Sequence, residues 1–198
     1  MGLQYVRGTR LTLKHHPEFN ERWLRDLVVN DPAVLGLGPL VVTAVERLQQ
    51  SGGRLDLLLQ QERRRYVVEL MLGSINESHI VRGLEYWDQE CRAHPEFEHW
   101  MVLVAEGLGG RFHNVLRLLK STVPLIALQL TALRVAESVT LSFTPVLDDH
   151  RRDGRGGSLR RRSSQRVYPL LDGAATSATE GRPPSSTLFP GSWPPPRK

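Results

Sequence analysis

The chain has 198 residues, which predicts one domain and at most two, and 40% hydrophobic with 24% charged residues is typical of a globular protein with one core. It contains no run of about 18 apolar residues, which excludes a membrane-spanning helix, and its N-terminus lacks the apolar stretch of a secretory signal. The single cysteine, Cys91, excludes an internal disulfide and a cysteine-built zinc site. We expect a cytoplasmic protein with no membrane partner.

The positive charge is concentrated near the end of the chain. The formal net charge is +5, and residues 148–198 carry all of it, with nine arginines and one lysine against five acidic residues. The same residues hold seven of the thirteen prolines and show no sustained apolar period, which predicts a disordered Arg/Ser/Pro-rich tail. The arginines at 160–162 could contact phosphate backbones without sequence preference, or the tail could be solvated with no specific partner.

The first elements precede the centre of the chain. Residues 1–19 are predicted to be a weakly structured segment. Asn20 is a good N-cap for a helix with apolar residues at helical spacing, and Asp31-Pro32 ends that helix because the residue before proline is pushed out of the helical region. Three strands are then predicted over 40–48, 54–59 and 66–72. The stretch QQERRR suits a hairpin loop of about five to seven residues between the last two.

The remaining elements alternate between helices and strands. Asn76 can cap a long helix over 77–92, followed by a buried strand over 99–105 and a short helix over 111–120. Two strands, 124–135 and 139–147, complete the pattern. This order predicts an α/β domain over 20–147, with a mixed central sheet and helices on both faces.

Two acidic residues interrupt apolar strands. Asp56 lies within RLDLLL and Glu69 within VVELML, where a carboxylate is costly unless it is paired or binds a cation. If the two strands form a hairpin, Asp56 and Glu69 lie opposite each other or one diagonal apart. Two carboxylates at that separation repel unless a divalent cation or a shared proton relieves them, and such oxygen ligands suit Mg²⁺ or Mn²⁺.

The run GRLDLLL followed by YVVELMLGSINESHIVRGLEYWD resembles the catalytic core of the PD-(D/E)XK nuclease superfamily, the restriction-endonuclease-like fold. More closely, it resembles an uncharacterised bacterial group with an ESHIxR..EYWD helix motif. The resemblance covers about residues 20–147. It implies a divalent-metal-dependent phosphodiesterase that acts on DNA more than on RNA, with Asp56 and Glu69 as metal ligands and Glu21 as an additional acidic ligand.

The sequence departs from this family at one position. The residue two after Glu69 is Met71, where the family has lysine or glutamine. Strand alternation places Met71 on the same face as Glu69, but a thioether carries no charge and donates no hydrogen bond. We therefore expect impaired activity, unless a nearby group such as His79, Arg82 or Arg54 takes the role.

Simpler interpretations stand beside these. Glu21 could stabilise the start of its helix, and Met71 could be a core side chain. Asp56 could pair with Arg54 or cap a bulge, and Glu69 could pair with an arginine. The alternative function is a catalytically inactive nuclease-like module that binds nucleic acid or protein. A further hypothesis is a homodimer formed through the helix face that carries Trp87.

Overall fold

The structure is a computed structural model that describes residues 5–49, 52–147 and 164–169. The order of helices and strands predicted from the sequence is confirmed, and the structure has one additional strand at each end. The elements, in chain order, are β1 (Thr9–Leu11), α1 (Glu21–Asn30), a 3₁₀ turn (Pro32–Leu35), β2 (Val41–Leu48), β3 (Arg54–Gln61), β4 (Arg64–Ser74), α2 (Glu77–Ala93), β5 (Glu98–Gly107), α3 (Arg111–Leu119), β6 (Leu125–Val135), β7 (Ser138–Leu147) and β8 (Ser164–Pro169).

The strands form one mixed sheet in the order β2-β3-β4-β5-β6-β7-β8, with β1 paired to β6. The three central strands, β4, β5 and β6, run parallel, while the pairs on either side are antiparallel. Helices α2 and α3 make the crossovers between the parallel strands, as parallel neighbours require. The predicted α/β class with a mixed central sheet is therefore confirmed.

Helices cover both faces of the sheet. On one face α1 and the 3₁₀ turn bury their apolar residues against alternate residues of β3 and β4. On the other face α2 and α3 cover the residues of opposite parity in β4 and β5. The predicted placement of helices on both faces is confirmed, and the larger core lies on the α1 face; its fully buried members include Leu24, Val28, Leu57, Tyr66 and Val68.

Short polar residues define the helix ends as the sequence predicts. The Asn20 side-chain oxygen accepts the Trp23 N–H at 2.9 Å, and Asn76 accepts the His79 N–H at 3.2 Å. Helix α1 ends at Asn30, and Asp31 is its C-cap. Each asparagine satisfies an N–H group that has no partner within its helix.

One local prediction, the length of the hairpin loop, needs correction. The β3–β4 loop has two residues, Glu62 and Arg63, because the paired register continues to Gln61 and Arg64; Glu62 adopts the positive φ of 51° that a tight hairpin requires. The weakly structured N-terminal segment contains β1. Within the predicted tail, residues 164–169 form β8 against β7 through their backbone, which pairs an otherwise open sheet edge. The rest of the tail, 160–162 included, lies outside the described residues.

Helix α2 packs on the sheet through the face that carries Trp87. The Trp87 indole N–H donates to the His99 carbonyl at 3.0 Å, and its ring is partly buried against the core. This face is therefore covered by the sheet of the same chain, and the homodimer stays a prediction without support from Trp87. Across the described ranges, no helix is long and apolar enough to cross a membrane.

Candidate functional site

The hairpin register brings the two strand carboxylates together. The β3–β4 ladder pairs Leu57 with Val68, and continuing it by one residue places Asp56 opposite Glu69. The negative charge of Asp56 contributes to the raised pKa of Glu69, as expected for neighbouring carboxylates. The two residues therefore share one site at the end of this ladder.

Glu69 is a fully buried carboxylate that is only partly satisfied. Its Oε2 accepts a hydrogen bond from Arg82 Nη2 at 2.8 Å. Its Oε1 is buried and finds no hydrogen-bond partner within the described part of the chain. Burial, and next the charge of Asp56, raise the pKa of Glu69 to about 7, although Arg82 and the backbone N–H of Asp56 oppose the shift. The site thus contains an acceptor oxygen in a position where a proton or a cation would be stabilised.

Asp56 is held by the neighbouring strand. Its Oδ2 accepts the backbone N–H of Leu70 at 2.8 Å. Burial raises the pKa of Asp56, while the Leu70 N–H and the positive charge of Arg82 act in the opposite direction. Arg54, the alternative partner, lies 4.0 Å from Glu46 instead.

Glu21 reaches the same strand end from the opposite face of the sheet. It is the first residue of α1, and its Oε1 accepts the Leu72 N–H at 3.3 Å. Two N–H groups of β4 beyond its ladder with β3, those of Leu70 and Leu72, are therefore each bound by a carboxylate. The charge of Glu21 also contributes to the raised pKa of Asp56. The structure thus brings Glu21 into the electrostatic surroundings of the strand pair.

Met71 brings no polar group to the site. It is 2% exposed and packs in an apolar cluster with Ile75 and Ile80, under the start of α2. Its alternation with Glu69 places both on the α2 face of β4. Its surroundings fit the interpretation of Met71 as a core side chain.

The sequence offered His79, Arg82 and Arg54 as replacements for the lysine that position 71 lacks. Of these three, Arg82 contacts the carboxylate of Glu69. A glycine explains its position: a Cβ on Gly83 would lie 2.6 Å from Met101 Cε and 3.6 Å from Glu69 Cγ, so α2 can approach the sheet here because this residue has no side chain. The sequence analysis named Arg82 as a candidate and an arginine as a partner for Glu69, but it did not predict that these two residues pair, although a glycine inside a helical pattern was the signal.

His79 lies near the site without bonding to its carboxylates in the contacts described. Its Nδ1 is 2.8 Å from Asn76 Oδ1. Burial, and next the charge of Arg82, lower the pKa of His79, while Glu21 opposes this shift. Burial therefore favours the neutral form of the His79 imidazole.

A further buried acid, Glu106, was not found by sequence reasoning. It lies near the end of β5 and accepts three backbone N–H groups, from Leu13 at 2.8 Å, Lys14 at 3.1 Å and Gly73 at 2.6 Å. These bonds occupy both oxygens, so Glu106 connects the N-terminal segment to the end of β4. It serves as a structural acceptor.

The carboxylates of Asp56 and Glu69 are the oxygen ligands that this site could offer to a divalent cation. Among the residues that the structure describes, there is no group of three or more histidine, cysteine, aspartate or glutamate side chains that could hold a metal ion. The unpartnered Glu69 Oε1 beside Asp56 fits a cation through two hard oxygen ligands. Water commonly completes the coordination of Mg²⁺ when proteins supply one or two carboxylates.

Part of the chain is similar in structure to parts of solved proteins. No family model matches the chain, and no curated protein matches it significantly. A repair endonuclease from Pyrococcus abyssi is 18% identical, with a TM-score of 0.46 over 58% of this chain and 49% of that one. EndoMS in complex with double-stranded DNA is 16% identical, with a TM-score of 0.45 over 56% and 44%.

A third similar structure is SfsA from Pyrococcus furiosus in complex with Ca²⁺. It is 16% identical, with a TM-score of 0.35 over 59% of this chain and 64% of that one. The chain spans about half the length of the first two structures.

Proposed function

We propose that the chain is a PD-(D/E)XK nuclease-like protein that acts as a divalent-metal-dependent phosphodiesterase on DNA. The resemblance of GRLDLLL and YVVELMLGSINESHIVRGLEYWD to that superfamily supports this proposal. The main structural support is that the Glu69 Oε1 atom is buried near Asp56 and has no hydrogen-bond partner in the described residues.

In this proposal Asp56 and Glu69 hold Mg²⁺ or Mn²⁺, and Glu21 supports them. A bound divalent cation supplies Lewis acidity toward a phosphodiester oxygen and lowers the pKa of a bound water. The Leu70 N–H fixes the Asp56 carboxylate, and burial by α2 keeps bulk water from the Glu69 carboxylate. A cation between Asp56 and Glu69 would relieve the repulsion between these two carboxylates.

A second candidate function is a nuclease-like module that binds nucleic acid or protein without cleaving it. Two observations favour it: Met71 lies in an apolar cluster, and Arg82 already pairs with Glu69. Loss of one electrostatic stabiliser of the transition state typically costs about 10²–10³ in rate.

A plasmid-cleavage assay in Mg²⁺ or Mn²⁺ tests the proposed function. We expect the wild-type chain to nick supercoiled DNA slowly and Asp56→Asn to lose about 10²-fold or more of that rate, because it removes a metal ligand. Met71→Lys or Met71→Gln should raise the rate by up to about 10²-fold. Circular dichroism would verify that each variant is folded.

A matched control is Asp26→Asn, which changes an exposed aspartate of α1 that lies 4.0 Å from Arg22. Its cleavage rate should equal that of the wild type. If the wild type and both Met71 variants are folded and bind DNA but none cleaves it, the phosphodiesterase proposal is wrong and the binding module is supported.

A further inference from the structure

The ion pair between Arg82 and Glu69 leaves polar atoms unsatisfied on both sides. Arg82 Nη2 donates to Glu69 Oε2 at 2.8 Å. Arg82 Nε and Glu69 Oε1 are both buried, and neither finds a hydrogen-bond partner in the described ranges. A bidentate arginine–carboxylate pair would use two parallel hydrogen bonds. This pair is therefore not bidentate, and Glu69 accepts one of the N–H donors of Arg82.

The two partners differ sharply in exposure. The Glu69 side chain is 0% exposed, whereas the Arg82 side chain is 41% exposed. Arg82 thus extends from the buried carboxylate to the protein surface. A molecule that approaches Asp56 and Glu69 from solvent would therefore contact the exposed part of the Arg82 side chain.

Arg82 is the cation that contacts Glu69, whereas Arg25, whose charge also acts on Asp56, pairs with Glu46 at 3.3 Å. Asp56 and Glu69 are negative and interact with Arg82 electrostatically, and Tyr86 lies on the same helix as Arg82. His79 is close enough to interact with the charge of Arg82, and burial favours its neutral form. Met71, on the Glu69 face of β4, has no charge.

We propose that Arg82 is the residue of this site that binds a phosphodiester group of the nucleic-acid substrate. Its guanidinium supplies the positive charge that position 71 lacks. Guanidinium matches a phosphate group through two parallel N–H donors, which one carboxylate oxygen does not use fully. This inference rests on the proposed function, because it requires a phosphodiester to reach Asp56 and Glu69.

Glu69 and the phosphate compete for the same guanidinium. Neutralising Glu69 should therefore strengthen phosphate binding, both by releasing Arg82 and by removing a negative charge from the site. Removal of the Glu69 charge should strengthen DNA binding, and removal of Arg82 should weaken it. An arginine that only stabilises the fold would not produce these opposite effects.

The test is equilibrium binding of a fluorescent DNA duplex to the full chain in EDTA, where no cleavage occurs. Arg82→Gln alone leaves a buried carboxylate without its partner, so the comparison uses Glu69→Gln and the double variant Glu69→Gln/Arg82→Gln. We expect Glu69→Gln to bind more tightly than the wild type. The double variant should bind about tenfold more weakly than Glu69→Gln, with a salt slope smaller by about 0.9, the value for one lost phosphate contact.

Two further variants complete the design. Arg82→Lys, which keeps the charge but not the two parallel N–H donors, should retain only part of the affinity. Arg92→Gln, on the last turn of the same helix, removes an exposed arginine that pairs with Asp88 at 2.7 Å, and it should bind like the wild type. Equal affinities and slopes for Glu69→Gln and the double variant would overturn the inference, as would an equal loss with Arg92→Gln.

A separate cleavage assay distinguishes this inference from the proposed function. If DNA binding depends on Arg82 as described but no variant cleaves DNA with Mg²⁺ or Mn²⁺, the phosphodiesterase proposal fails and the assignment of Arg82 as a phosphate ligand is supported. If the wild type cleaves DNA but the loss of Arg82 leaves binding unchanged, the phosphodiesterase proposal stands and the role of Arg82 is overturned.

Discussion

At the scale of single residues, the site depends on Glu69. A carboxylate that is fully buried among aliphatic side chains is costly when ionised. Arg82 compensates for part of this cost through one hydrogen bond, and Asp56 adds to it through repulsion. The result is a carboxyl group that holds a proton more tightly in the folded protein than in the unfolded chain.

This pKa predicts how Glu69 changes stability with pH. Because its pKa is about 7 in the folded protein and near 4.5 in the unfolded chain, the folded state binds more protons between these values. The free energy of unfolding should therefore fall as pH rises from about 4.5 to 7, by roughly 3 kcal/mol. Urea denaturation of the wild type and of Glu69→Gln at several pH values measures the difference.

Glu69→Gln lacks this titrating group, so its free energy of unfolding should rise relative to that of the wild type over that interval, and the difference should stay constant above pH 7. Glu137→Gln, at an 86% exposed glutamate, is the matched control and should follow the wild type. Parallel curves for Glu69→Gln and the wild type would show that burial does not shift this carboxyl group.

At the scale of secondary-structure elements, Glu106 joins β5 to β4 and to the N-terminal segment. Its carboxylate accepts the N–H groups of Leu13, Lys14 and Gly73. Gly73 has a φ of 81° and lies in the irregular part of the β4–β5 ladder between Met71 and Ser74, so a side-chain acceptor replaces a strand partner for its N–H.

Glu106→Gln should lower the free energy of unfolding by about 1–3 kcal/mol, because an amide has one acceptor oxygen and its NH₂ group would face backbone donors. Chemical denaturation measures this loss. Glu98→Gln, at the exposed start of the same strand, is the control and should change stability much less. A loss as small as that of the control would mean that the three bonds contribute little.

Local patterns predict the elements of this fold well, because their signals lie within each segment. Asn20 and Asn76 cap their helices, and the apolar runs of β4 and β5 form the buried strands that they predict. The hairpin loop is shorter than predicted because Gln61 and Arg64 pair although neither is apolar. A tight turn without glycine or asparagine gave no local signal of its length.

Contacts between distant elements were the part that the sequence could not supply. The adjacency of Asp56 and Glu69 follows from strand pairing alone, but the Arg82–Glu69 pair depends on how closely α2 approaches the sheet. A buried cluster, in which Glu90 of α2 pairs with Arg47 of β2 and Arg65 of β4, likewise has no signature in any one segment.

At the scale of the whole molecule, the distribution of charge limits how DNA could be bound. Residues 1–147 are neutral overall, and the excess of positive charge belongs to residues 148–198. In the proposed function, DNA binding by the α/β part would therefore depend on a few individually placed cations rather than on a basic surface, since net charge sets only the sequence-independent attraction to phosphate. Arg82 beside two acidic residues is such a placed cation.

The most direct measurement is a calorimetric titration of the full chain with Mn²⁺ or Mg²⁺ at pH 8 and pH 6. We predict binding at one site at pH 8, weaker binding at pH 6 because protons then compete for Glu69, and no binding by Asp56→Asn. The absence of binding to the wild type at pH 8, or equal binding by Asp56→Asn, would contradict a metal site built from these two carboxylates.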